Sequence, residues 1–190
     1  MMVPDQERGS EPETAWYQWK PTNAESVAYE DVADAVRRFE SLDTAAGRAS
    51  TAWLLNESLI NHPSTVTYVL VSAERVEGYF AAASSSVTLT QSHRRQLTPG
   101  ERDYLLAPTQ GAALIAWLAR HREAEVRGEE IFLYALSIAL KVAGMQGTPV
   151  VVVDPYDDAS ADIWAERYGF RRSRTPGGSD VRLWLPLHPA

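Results

Sequence analysis

Residues 120–154 constrain this chain more than any other stretch. They run from a charged segment with one glycine, Gly128, through an apolar run at 131–145, to a turn with Gly147 and Pro149, and then four valines closed by Asp154. Ile131, Leu133, Tyr134, Leu136, Ile138, Leu140 and Val142 are apolar, with alanine at 135, 139 and 143. This pattern predicts a helix of about four turns with apolar side chains on nearly every face, hence mostly covered. Glu129 and Glu130 sit where the helix dipole favours negative charge, and Lys141 near the end where it favours positive charge. Gly144 or Gly147 can terminate the helix. The valines at 150–153 predict a central strand buried on both faces. A loop feeding a helix beside a central strand is a frequent site for phosphate-bearing ligands, and it is also ordinary α/β architecture.

Composition narrows the function classes. The chain has 190 residues, 45% of them hydrophobic, which fits one globular domain with a real core. Residues 1–14 are rich in Pro, Glu and Gly and lack the apolar centre of a signal peptide. They are expected to form a tail ahead of a single domain at 15–190, in a cytoplasmic protein. No run approaches the roughly 18 apolar residues of a membrane span. The absence of cysteine excludes disulfides, thiolate metal sites and a cysteine nucleophile. His62, His93, His121 and His188 show no metal-ligand spacing, so no metal is expected. A net charge of -7 argues against nucleic acid as a partner, because phosphate contacts need clustered cations.

The remaining segments supply the element order. Residues 15–20 are aromatic and read as an edge strand. Residues 25–40 read as a helix capped by Ser26, and 50–61 as a second helix stopped by Pro63, with an irregular turn at 42–48 between them. Residues 65–71 and 76–89 read as paired strands, with Gly78 as a bulge or a point of close approach. The small residues at 81–86 would let a packing helix or a ligand come close. Residues 91–110 read as a long loop, whose basic part Ser92-His93-Arg94-Arg95 is either solvated or a lid over substrate. Residues 112–120 read as a strand. Residues 159–168 read as a short helix capped by Asp158 or Ser160 and ended by Gly169. Residues 170–173 and 181–185 close the chain as a hairpin. The expected architecture is α/β: a mixed central sheet of about seven strands with helices on both faces.

Several local patterns, in this order, resemble the GNAT superfamily of acyl-CoA-dependent N-acyltransferases. The run from Ala161 through Trp164, Ala165 and Tyr168 to Gly169-Phe170 is similar to the family's A-x-x-F-Y-x-x-x-G-F. The valine strand before Asp154 resembles its fifth strand, and residues 68–71 with 76–81 its central hairpin. The helix at 50–61 followed by that hairpin is most similar to the branch of toxins from toxin–antitoxin pairs, which acetylate aminoacyl-tRNA. The resemblance spans residues 25–187.

The resemblance implies acyl transfer from acetyl-CoA, or another acyl-CoA, to an amine on a small molecule or an aminoacyl group. It implies that main chain near Trp117 and Leu118 holds the pantetheine arm. The pyrophosphate would lie on the loop at 123–128, through Arg122, Val126, Arg127, Gly128 and Glu129, where the family has Q/R-x-x-G-x-G/A. Here Glu123 replaces the Gln or Arg and Val126 replaces the inner glycine. The family's catalytic tyrosine position is Ala165, leaving Tyr168 and Tyr156 as candidate general acids. The alternative is a non-catalytic GNAT relative acting as a binding or regulatory module. A homodimer or an antitoxin-like protein is the expected macromolecular partner, through the edge at 16–19 or the strand at 181–185.

Overall fold

The computed structural model describes residues 14–20, 27–61, 64–72, 75–174 and 181–187. The expectations for the tail, the Ser26 cap, Pro63, His62, His188 and the turn of the last hairpin fall outside these residues. Seven strands form one mixed sheet in the order β1-β2-β3-β4-β5-β7-β6. They are β1 (Ala15–Trp19), β2 (Thr65–Val71), β3 (Val76–Thr88), β4 (Thr109–Arg120), β5 (Val150–Val153), β6 (Arg171–Arg174) and β7 (Val181–Pro186). Among the described residues only β4 and β5 pair in parallel, and they are joined by α5 (Gly128–Gln146).

The alternation of strand side chains builds a core on each face. On one side Tyr79 and Ala81 bury against Val36 of α1 (Val27–Arg37), Phe39 just after it, and Trp53 and Leu54 of α2 (Ala45–Asn56). On the other, Phe80 and the valines at 151 and 153 bury against Phe132, Ala135 and Ala139 of α5 and Ala161 of α6 (Asp158–Tyr168). All four valines of β5 are 2% exposed or less, as a strand covered on both faces requires. Gly147 and Gly169 take left-handed backbone and end α5 and α6.

Several boundaries differ from the sequence reading. The predicted loop at 91–110 holds two short helices, α3 (Gln91–Arg95) and α4 (Pro99–Tyr104), and its last two residues already belong to β4. Each helix starts in a capping box, Thr90 with His93 and Thr98 with Glu101. Helices this short carry no apolar period, so only the T-x-x-E signal at 98–101 announced one. The segment is no lid. Leu89, Leu97 and Leu105 pack on Val150, Val152 and Trp184, and Arg94 donates to the carbonyls of Leu106 and Ala107 at 3.2 and 3.0 Å.

The second helix begins at Ala45, not at Ser50, and takes in part of the predicted turn. Thr44 caps it by accepting from the Gly47 amide at 3.0 Å. The helix stops at Asn56, short of Pro63, where Glu57 is its C-cap. Asp157, rather than Asp158 or Ser160, caps α6. Helix α5 is covered on one side only: Leu133 is 53% exposed and Met145 88%. Strand β7 lies between β5 and β6, so it is no free edge.

Candidate functional site

Strands β4 and β5 pair from Ala112 with Val150 to Ile115 with Val153 and then part. The parting begins where the register between β3 and β4 slips. Ala81 faces Trp117 and Ala82 faces Ile115, so Ala116 is the extra residue of a bulge. A bulge bends its strand and ends pairing locally. Beyond it, Trp117 and Leu118 stay paired with β3 but face an opening where β5 would be.

That opening is a cleft of about 430 Å³. Its lining includes Ile115, Ala116, Trp117 and Leu118 of β4, with Val153, Asp154, Pro155 and Tyr156 at the end of β5. Ala46 and Ser50 of α2 close one side, and Ser160 and Trp164 of α6 the other. Trp117 stacks on Trp53 at 5.3 Å, which fixes that wall. Behind it the buried Tyr79 donates its hydroxyl to the Ser50 carbonyl at 2.7 Å, and burial pushes its phenol far up.

The two candidate tyrosines separate. Tyr156 lines the cleft and is 56% exposed. Tyr168 lies under α5, its ring 3.9 Å from that of Phe132 and 6.0 Å from that of Trp164, and it does not line the cleft.

The loop from β4 to α5 is held from behind by two titratable groups. His121 is buried against Phe39, and its Nδ1 accepts the Glu123 amide at 3.1 Å. Burial and the nearby Arg75 charge hold its imidazole below the ordinary value, with Glu123 and Glu77 opposing. The Glu77 carboxylate, on a residue 2% exposed, accepts the Glu125 amide at 3.0 Å. Its other oxygen accepts from Arg75 Nε and Ser72 Oγ, each at 2.8 Å. Burial alone would raise Glu77, but the Arg75, Ser72 and Glu125 hydrogen bonds outweigh it and leave the carboxyl below its ordinary value.

The acidic side chains of the loop turn to solvent and to arginines. Glu125 lies 3.8 Å from Arg75 and Glu123 3.8 Å from Arg122, which also meets Glu40 at 2.7 Å. Arg127 pairs with Glu130 at 2.9 Å. Gly128 opens α5, and a Cβ there would meet nothing within 4 Å.

No protein-family model and no curated protein sequence matches the chain. Solved structures do match it by shape. One is AtaT complexed with acetyl-methionyl-tRNAfMet, at 15% identity and a TM-score of 0.65, covering 92% of this chain and 95% of that one. A Tyr-to-Phe mutant of KacT matches at 16% identity and 0.65, over 91% and 94%. AtaTR bound with AcCoA matches at 14% identity and 0.64, over 91% and 93%.

The chain has the GNAT fold.

Trp117 and Leu118 line the cleft. The loop residues Arg122, Val126, Arg127, Gly128 and Glu129 lie between β4 and the first turn of α5. The GNAT tyrosine position, Ala165, is half-buried. Sequence reasoning missed Ala116 as the bulge and Ala46 and Ser50 as a wall. It missed Glu77 as well, although a lone acid between Val76 and Gly78 in an apolar strand was a readable signal.

Two arginines of the segment 171–174 are held by ion pairs within the chain. Arg171 makes a bidentate pair with the buried Glu101 at 2.6 and 2.9 Å and lies 5.3 Å from the Trp184 ring centre. Arg172 pairs with Asp158 and Asp162. Among the described residues no group of His, Asp and Glu could hold a metal ion, and no helix is long and apolar enough to cross a membrane.

Proposed function

We infer that this chain is an acyl-CoA-dependent N-acyltransferase that moves an acetyl group onto a primary amine. The open cleft between β4 and β5 carries the reading. Beyond Ile115 the cleft side of β4 lacks a sheet partner among the described residues, so alternate main-chain groups there are available to an extended ligand. Trp117 and Leu118 would hold a pantetheine arm as an added strand is held. The first turn of α5, from Gly128 and Glu129, offers unpaired N–H groups and the positive end of a helix dipole to a diphosphate. Arg122 and Arg127 add positive charge, and Val126 completes the loop. An acyl-CoA supplies an activated thioester.

The residues of this chain position and protonate. Tyr156, at the rim, carries a hydroxyl able to give its proton to a leaving thiolate. The walls formed by Trp117, Trp164 and Ser50 align the acceptor, and orientation is itself a large part of such catalysis. AtaT with AtaR and acetyl-CoA, and AtaT with acetyl-methionyl-tRNAfMet, support acyl transfer as the class of reaction. The acceptor is an amine on a small molecule or an aminoacyl group. A net charge of -7 and the pairing of Arg171 and Arg172 disfavour a long nucleic-acid footprint. An antitoxin-like protein or a second copy is the macromolecular partner.

One observation favours a second reading, a non-catalytic binding or regulatory module. Ala165, at the family's tyrosine position, carries no hydroxyl. Titration of the purified chain with acetyl-CoA separates the two. At a hundredfold its dissociation constant the ligand stabilises the fold by about 2.7 kcal/mol. No thermal shift and no heat at millimolar acetyl-CoA would remove the acyltransferase reading and leave the module.

A further inference from the structure

We propose that Glu77 is the positioning residue of the cofactor loop, a latch that stands in for the inner glycine this loop lacks. The inference rests on the acyltransferase reading of the cleft. It starts from a second bulge. Leu70 faces Gly78 and Val71 faces Val76, so Glu77 is the extra residue on β3. A bulge re-aims a side chain. Here the carboxylate is turned into the protein beneath the loop, where it is almost wholly buried.

Its bonds are divided by function. One oxygen takes Arg75 and Ser72, which neutralise and orient the group. The other takes the amide of Glu125, 48 residues away in sequence. The backbone of the same residue reinforces the grip, because the Glu77 carbonyl accepts the His121 amide at 2.8 Å. His121 in turn accepts the Glu123 amide. The amides of 123 and 125 therefore point back into the protein, and the loop reaches α5 along one fixed path.

A GNAT loop with glycines can fold its amides around an anion because glycine tolerates the backbone turns this needs. A loop reading Glu-Ala-Glu-Val-Arg-Gly cannot do so as freely. The latch supplies the missing order from outside the loop. It leaves the first-turn amides of α5, at the open Gly128, as the groups presented to a diphosphate. Glu77 then acts on the nucleotide end of the ligand and not on the acyl end.

Two variants test this by different routes. Glu77→Gln keeps the shape but sets an NH₂ against a donor on one side. Glu125→Pro removes the N–H at an exposed position and leaves Glu77 intact. Each is titrated with acetyl-CoA and with S-acetyl-pantetheine, which lacks the nucleotide. The expected result is that in both variants affinity for acetyl-CoA falls and its KM rises by about tenfold or more, with kcat within about twofold. Affinity for S-acetyl-pantetheine stays at the wild-type value. Without ligand, the Glu123 amide is protected from hydrogen exchange in the wild type and loses protection in both variants. Wild-type affinity in both variants, unchanged exchange, or an equal loss for both ligands would overturn the latch. A wild-type chain that fails to bind acetyl-CoA would end the acyltransferase reading and the latch with it.

Discussion

Arg182 on β7 grips Asp154 at the tip of β5 through two parallel hydrogen bonds of 2.7 Å. The pair stands where β5 leaves β4 and the cleft begins, so it ties down the strand end that forms one lip. Both partners are about one-third exposed or more, which limits the energy. Arg182→Met should cost about 1 kcal/mol, and Asp154→Asn a similar amount. Denaturant midpoints of the two single variants and the double variant check this. Strictly additive losses would mean that the pair contributes nothing as a pair.

The tyrosines should behave oppositely. Tyr156→Phe should lower kcat for acetyl transfer by about a hundredfold, the scale of a lost general acid, with the KM for acetyl-CoA little changed. Tyr168→Phe should leave turnover unchanged, because that ring packs on Phe132 away from the lining. Tyr168→Ala should instead destabilise the fold by about 3 kcal/mol. Steady-state kinetics and thermal unfolding separate the two roles, and equal kinetic losses at both positions would refute the assignment.

Gly78 makes room for α5. A Cβ there would collide with the Ile131 side chain and lie 2.9 Å from the Ala119 carbonyl. Gly78→Ala should therefore cost about 1–3 kcal/mol through overpacking. It should also weaken any ligand at the first turn of α5, because Ile131 belongs to that turn. Unfolding and titration of the one variant test both consequences.

His121 sets a pH dependence. Its folded-state value lies below the ordinary one, so the unfolded chain binds a proton more readily. The stability it contributes is complete above about pH 6.5 and is lost as pH falls from there through the lowered folded value. Glu77 and Glu101 are also lowered, so their contributions are lost only in the more acidic range, from about pH 4.3 downward. Urea midpoints between pH 8 and pH 5 should thus decline for the wild type and decline less for His121→Gln. Parallel curves would exclude His121 as the cause.

Arg171→Met should be among the more damaging surface-directed changes. It leaves Glu101, 1% exposed, without its bidentate partner. The burial of Glu101 raises its carboxyl, while the Arg171 and Thr98 hydrogen bonds bring it below its ordinary value, so removal of the arginine leaves burial unopposed by its main partner. A loss of about 3 kcal/mol is expected, measured by chemical unfolding. Replacing both residues by apolar ones of similar size should recover much of it.

Much of the architecture was legible in local patterns. The four valines, the alternation along β2 and the apolar run of α5 each record their own burial, because side-chain periodicity is the imprint of a covered face. The order of elements and the run from Ala161 to Phe170 carried the resemblance to the GNAT fold. The helices α3 and α4 left no apolar period to read in one and a half turns, and only the T-x-x-E at 98–101 marks one of them. The early start of α2 was hidden because Ala45, Ala46 and Gly47 add no apolar signal.

The site was only half legible. The GNAT resemblance, rather than residue spacing, singled out Trp117, Leu118 and the 122–129 loop. Tyr156 and Tyr168 could not be ranked, since reach depends on how α6 lies against α5. The sequence by itself determined the strands and the longer helices, and which faces they must bury, because those rest on spacing within a few residues. Tertiary structure alone decided that Ala116 opens the cleft, that Glu77 holds Glu125 from 48 residues away, and that Arg171 answers to Glu101. Each depends on strand register and helix docking, and a shift of one residue in either would turn the same side chains to different partners.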